Sequence, residues 1–134
     1  MINTIFINMP VVDLKKSTAF FKELGFSFYD PFTGEDSACM IIGEDKFAML
    51  TSRPKFEQMI DKKVADKGTS EVLISLGCES ADRVRHLSET AFAQGARKMN
   101  EAEDIGFMFS WGFEDLDGHI WDLFWMDPER LPQK

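Results

Sequence analysis

A chain of 134 residues with 44% hydrophobic content and 13 Phe has enough apolar material for one compact unit or two very small ones, which excludes a disordered segment. Its formal net charge of -8 argues against nonspecific binding to nucleic acid or an anionic membrane, which needs clustered Lys and Arg that are scarce here, and fits a small neutral or cationic ligand. Cys39 and Cys78 each lie in an apolar, strand-like stretch. They read as free buried thiols in a reducing compartment. The N-terminus shows no basic segment followed by an apolar run and a small-residue cleavage site, and no apolar run reaches ~18 residues, so the cytoplasm is the expected location.

In chain order, Ile2 to Met9 alternates Ile5, Ile7 and Met9 against Thr4, Phe6 and Asn8, as in a strand that Pro10 should end. Asp13 is placed to cap a helix from Leu14 to Leu24, whose Leu14, Ser17, Phe20, Phe21 and Leu24 form one stripe at three- and four-residue steps; Gly25 stops it. Strands are expected at Phe26 to Tyr29, Ala38 to Ile42 and Lys46 to Thr51, with a loop at Asp30 to Asp36, and Pro54 opens a short helix to about Lys62. The charged, Gly-containing run from Lys62 to Ser70 is the best internal boundary. Beyond it the order repeats. Val72 to Cys78 is a strand, and Ser80 caps a helix from Ala81 to about Gln94 with Val84, Leu87 and Ala91 on one stripe before Gly95. Strands follow at Lys98-Met99, Phe107 to Glu114 and His119 to Trp125.

The last two strands form a hairpin, because Asp117-Gly118 is a turn dipeptide flanked by apolar residues. In its second arm Ile120, Asp122, Phe124 and Met126 share one face and His119, Trp121, Leu123 and Trp125 the other. A carboxylate sharing a face with large apolar groups must be paired, hydrated or metal-bound, so Asp122 reads either as a structural acid or as a functional one. Phe107, Phe109, Trp111 and Phe113 share a face that reads as core beneath a helix in preference to an aromatic cage, and Trp121 and Trp125 admit the same two readings. Gly106 and Gly112 mark bends or close backbone approach. His86, among Arg83, Arg85 and Glu89, lies on a solvated helix face, and His119 has no Ser, Cys or acid placed to complete a nucleophilic set. Glu35-Asp36 and Glu101, Glu103 and Asp104 form acidic loops that read as solvated rims; overhanging a pocket, they would favour a cationic ligand.

Two consecutive βαβββ modules, opened by Asn8-Met9-Pro10-Val11-Val12-Asp13-Leu14 and closed by Phe113-Glu114-Asp115-Leu116-Asp117-Gly118 before the last strand, resemble the vicinal oxygen chelate superfamily of glyoxalase I, bleomycin-resistance proteins and extradiol dioxygenases. The helix exit Ser17-x-x-Phe-Phe-x-x-Leu-Gly-Phe26 adds to the resemblance, which spans residues 2 to 127. It implies an α+β fold in a single domain, with module 1 at about 1-63 and module 2 at about 70-128, cupped mixed sheets around a pocket and helices on the outer face. Metal-dependent members place a ligand on the first and fourth strands of each module. By local motif these positions fall on Phe6, Met49, Leu73 and Asp122, of which only Asp122 suits a hard divalent ion. A register slip of two residues would bring Asn8 or Glu71 near Asp122, still without a His.

The expected function is therefore that of a glyoxalase/bleomycin-resistance-like small-molecule-binding protein without the usual divalent-metal centre and with no other cofactor. Its expected pocket comprises Phe6, Asn8, Met49, Leu73, Ser75, Ile120, Asp122 and Phe124, with Asp122 as polar anchor or, in a catalytic version, general base. Binding of bleomycin-type antibiotics is a precedent in the family for a cationic ligand. One alternative is a metal-dependent lyase, isomerase or dioxygenase with a noncanonical site of Asp122, Glu71 and Asn8. Another is a structural or protein-interaction module with a filled cup. A homodimer is expected, since two-fold pairing is the default among soluble oligomers and common in the family.

Overall fold

The computed structural model describes residues 1–130, and the chain divides into two compact units, Met1–Ala65 and Asp66 onward. Each unit is a four-stranded mixed sheet with a capped helix between its first two strands. The first holds β1 (Ile5–Val11), α1 (Leu14–Glu23), β2 (Ser27–Phe28), β3 (Ser37–Gly43), β4 (Lys46–Ser52) and the short α2 (Arg53–Met59). The second holds β5 (Leu73–Gly77), α3 (Ala81–Ala93), β6 (Glu103–Asp104), β7 (Met108–Glu114) and β8 (Ile120–Met126). Strand orders are β1-β4-β3-β2 and β5-β8-β7-β6. In each sheet the first strand runs parallel to the last and the remaining pairings are antiparallel. The βαβββ module is thus present twice, as the sequence leads one to expect. Among the described residues no helix is long and apolar enough to cross a membrane.

Local chemistry explains both helices. The Asp13 carboxylate accepts from the Lys16 amide at 3.1 Å and the Ser80 hydroxyl from the Arg83 amide at 3.0 Å, each satisfying a first-turn N–H that the helix itself leaves unbonded. Both C-termini close alike: Phe26 donates to the Phe21 carbonyl and Ala96 to the Ala91 carbonyl, across Gly25 and Gly95. Those glycines have φ of +102° and +100°, a region where a Cβ is strained.

In the first unit α1 packs on β3 and β4, and Phe20, Phe21 and Leu24 are buried together with Met9, Val11, Met40, Ala48 and Leu50. In the second, α3 lays Val84, Leu87 and Ala91 against β7 and β8, where Phe109, Phe113, Trp121 and Leu123 are buried. The aromatic face of β7 is therefore core beneath a helix. Each fully buried aliphatic or aromatic side chain contributes about 1.5–3 kcal/mol by leaving water, so these two faces dominate the stability of their units.

Three expectations are corrected. Pro10 does not end β1; the strand runs to Val11, with Pro10 in register with Thr51. β1 is an edge strand, so a residue without an amide hydrogen can sit there without breaking an inner ladder. No strand forms at Lys98-Met99. The pairing with β7 is instead made by a bridge from Arg97 to Glu114 and by β6 at Glu103–Asp104, opposite Ser110 and Phe109. The loop at 30–36 begins with a single 3-10 turn, Asp30–Phe32, which Pro31 favours through its fixed φ.

Candidate functional site

The β7–β8 hairpin is held by a carboxylate that sequence reasoning had not singled out. Asp115 is 5% exposed, and its Oδ1 accepts from the Asp117 and His119 amides at 2.9 and 3.0 Å while its Oδ2 accepts from Trp121 Nε1 at 2.9 Å. Burial pushes its pKa above the ordinary carboxylate value, a displacement offset in part by His119 and by the three N–H donors. The turn it supports needs Gly118, whose φ is +88° and where an added Cβ would lie 2.7 Å from the Lys67 carbonyl oxygen.

Asp122 has the opposite environment. Trp121 and Leu123, each 1% exposed, form the buried face of β8, whereas Ile120, Asp122 and Phe124 are half-buried. The apolar company expected for Asp122 is there, but on the open face of the sheet, because α3 covers the other one. Ser75 lies opposite Asp122 in the parallel β5–β8 register, and its hydroxyl donates to Asp122 Oδ2 at 2.9 Å. On the β7 side the residue in register is Gly112, where an added Cβ would come within 2.2 Å of the Trp121 carbonyl oxygen. No side chain can stand there. Gly112 is thus required by close backbone approach, and it leaves the flank of Asp122 open.

That flank borders a cavity of about 310 Å³, contained within the second unit. Leu73, Ile120 and Met99 contribute apolar wall, Asn100, Glu101, Glu103, Ser110 and Asp122 contribute polar groups, and Trp111, Gly112 and Trp121 complete the lining. The segment 97–101 at its rim is fastened to β7 at several points. Arg97 and Glu114 exchange two backbone hydrogen bonds and an ion pair of 3.3 Å, and Trp111 Nε1 donates to the Asn100 carbonyl at 3.0 Å; within the segment itself Lys98 pairs with Glu101 at 2.9 Å. Trp111 is itself held edge-on by Phe92, ring centroids 5.2 Å apart, with the Lys98 ammonium 5.6 Å from its centroid. A larger hollow of about 400 Å³ in the first unit lies among residues 2–5 and 44–46 at an exposed strand end. It contains none of the expected site residues.

Of the expected pocket residues, Leu73, Ile120 and Asp122 line the 310 Å³ cavity and Ser75 bonds to Asp122. Phe124 lies over Gly77, where an added Cβ would meet its ring at 3.2 Å. Phe6, Asn8 and Met49 belong to the first unit, where Phe6 stacks on Phe47 at 4.7 Å and Asn8 is in register with Met49. Met99, Asn100, Ser110 and Gly112 were missed as site residues; for Ser110 and Gly112 the usable signal was strand parity, since they alternate with Phe109 and Phe113. The acidic pair Glu101 and Glu103, first read as a solvated rim, borders this cavity.

The family's metal positions can be tested on donor chemistry. Phe6 and Leu73 offer no donor atom, Met49 offers a soft thioether, and Asp122 is engaged by a hydroxyl. Among the described residues no three His, Cys, Asp or Glu side chains gather as a metal-holding group. This set does not fit the family's divalent centre. Burial raises the pKa of the Cys39 thiol, and burial together with Glu79 raises that of half-buried Cys78 against the opposing effect of Arg83, which lowers the thiolate fraction of both free cysteines.

Comparison with known proteins bears on the class. Residues 4–43 match a family model described as bleomycin resistance protein-like N-terminal. Among solved structures, the hypothetical protein SA1046 from S. aureus is similar at 27% identity and a TM-score of 0.80, over 92% of this chain and 94% of that one. A glyoxalase-related enzyme from Fulvimarina pelagi is similar at 17% identity and a TM-score of 0.78, over 90% and 85%. A glyoxalase/bleomycin resistance protein/dioxygenase family enzyme from Burkholderia phytofirmans PsJN shows 12% identity and a TM-score of 0.75, over 90% and 96%. A comparison with curated proteins returns no match. The chain has the fold of the glyoxalase/bleomycin-resistance structures.

Proposed function

We propose that this chain is a small-molecule-binding protein that uses the glyoxalase/bleomycin-resistance fold without the family's divalent-metal centre. One observation carries the reading: the 310 Å³ cavity on the open face of β5, β8 and β7 sets the Asp122 carboxylate, oriented by Ser75, beside an apolar wall. Cavities with a few converging polar groups on apolar surface are where small ligands bind. Asp122 is the polar anchor. In a catalytic version it is the general base that takes a proton adjacent to a carbonyl. Two free cysteines support a reducing, cytoplasmic setting, and the exposed Ile5, Val72 and Leu73 on or beside the edge strands β1 and β5 support pairing of two copies.

Metal analysis after native purification tests this reading. The expected outcome is a divalent metal content far below one per chain and a melting temperature unmoved by chelator. Near-stoichiometric metal that disappears in Asp122→Ala would overturn it in favour of a metal-dependent lyase, isomerase or dioxygenase with a noncanonical site.

A further inference from the structure

We infer that the ligand of this cavity is a small organic cation, an ammonium or amidinium carried on an apolar body; the inference rests on the pocket reading above and adds the ligand's charge and size. The lining residues include three carboxylates, Glu101, Glu103 and Asp122, and no Lys, Arg or His. Their compensation differs. Glu101 is neutralised by Lys98 at 2.9 Å. Among the described residues Asp122 bonds to the neutral Ser75 hydroxyl and has no ion pair, and Glu103 has no ion pair either. Two uncompensated carboxylates on one concave, partly apolar surface repel an anion and attract a cation, and the attraction is stronger than in open water because the walls exclude part of the solvent.

The apolar wall sets the rest of the ligand. Leu73 is 57% exposed on this face and Ile120 and Met99 are half-buried, so an apolar body laid on them removes hydrocarbon from water. At ~30 Å³ per water-sized group, 310 Å³ accommodates roughly ten non-hydrogen atoms. A phenylalkylammonium fits that volume. Gly112 completes the match by leaving the side of Asp122 free for a charged head group.

Amide chemical-shift titration of the intact chain with phenethylammonium, 2-phenylethanol, phenylacetate and calcium chloride separates the possibilities. The expected result is saturable shifts at Ser110, Gly112, Ile120 and Asp122 with the ammonium, weakened by added salt. Binding of the alcohol should be about tenfold weaker, as loss of a charge-assisted hydrogen bond implies. Phenylacetate and calcium should leave those amides unmoved. Asp122→Asn and Glu103→Gln, whose own spectra report that the fold is intact, should each weaken the ammonium several-fold. If the alcohol or phenylacetate binds there as tightly as the ammonium, the pocket reading stands and the cation inference is overturned. Tighter binding of calcium overturns it likewise. If none of the four moves those amides at millimolar concentration, the pocket reading itself falls, and this inference with it.

Discussion

Asp115 and Asp122 occupy one hairpin in contrasting surroundings, the first sealed beneath it with three N–H donors and the second on the open face with one hydroxyl. Removing the Asp115 carboxylate leaves those donors without their partner. Asp115→Ala should therefore cost about 3 kcal/mol or more in a urea titration, since each orphaned buried donor costs about 1–3 kcal/mol. The pH dependence follows from burial raising the folded pKa of Asp115. Its contribution is fully present below the unfolded carboxylate pKa of about 3.9 and is lost as pH rises through the folded value. The stability difference between the wild type and Asp115→Asn should accordingly favour the wild type more at about pH 4 than at pH 7; a difference that moves the other way contradicts this assignment. Ser88 offers a contrasting case, a fully buried hydroxyl on α3 with no hydrogen-bond partner among the described residues. Ser88→Ala should be neutral or stabilising by up to about 1 kcal/mol in thermal unfolding, because it removes a desolvated polar group without orphaning a partner. Parity in β8 was legible from the sequence and placed Asp122 on its correct face. That Asp115, past the end of β7, would be buried against Trp121 was not, because it depends on a contact between the two arms of the hairpin.

At the scale of elements, the hairpin and the rim segment make the cavity. Gly112→Ala would drive a Cβ into the Trp121 carbonyl, so it should abolish cooperative folding or lower stability by at least about 3 kcal/mol, measured by denaturant unfolding. Trp111→Phe is subtler, because the ring remains but the Nε1 bond to the Asn100 carbonyl is lost. Amide exchange at Met99, Asn100 and Glu101 should quicken while the rest of β7 keeps its protection; unchanged exchange there would mean that Lys98–Glu101 and Arg97–Glu114 hold the rim without Trp111. Helices, caps and glycine stops were readable in advance, because cap residues and three- and four-residue stripes are local signals. β6 was not readable. Glu103–Asp104 has no strand chemistry of its own and pairs only because Ser110 and Phe109 of β7 present a free edge to it.

At the scale of the whole chain, the same strand order occurs in both units, with the first strand parallel to the last. Exposed Val72 and Leu73 lie in or beside an edge strand, which natural proteins commonly cover. Sedimentation at two concentrations should return the mass of a dimer; a monomer throughout would remove the homodimer from the proposal. Sequence alone determined the βαβββ repeat and the hairpin at Asp117-Gly118, since periodicity and turn chemistry are properties of the residues themselves. Tertiary structure alone decided that Asp115 is the buried acid, that Ser75 and Gly112 flank Asp122, and that Glu101 and Glu103 border its cavity. Burial and juxtaposition depend on pairings between strands far apart in the chain, and no local pattern encodes which neighbour a side chain will meet.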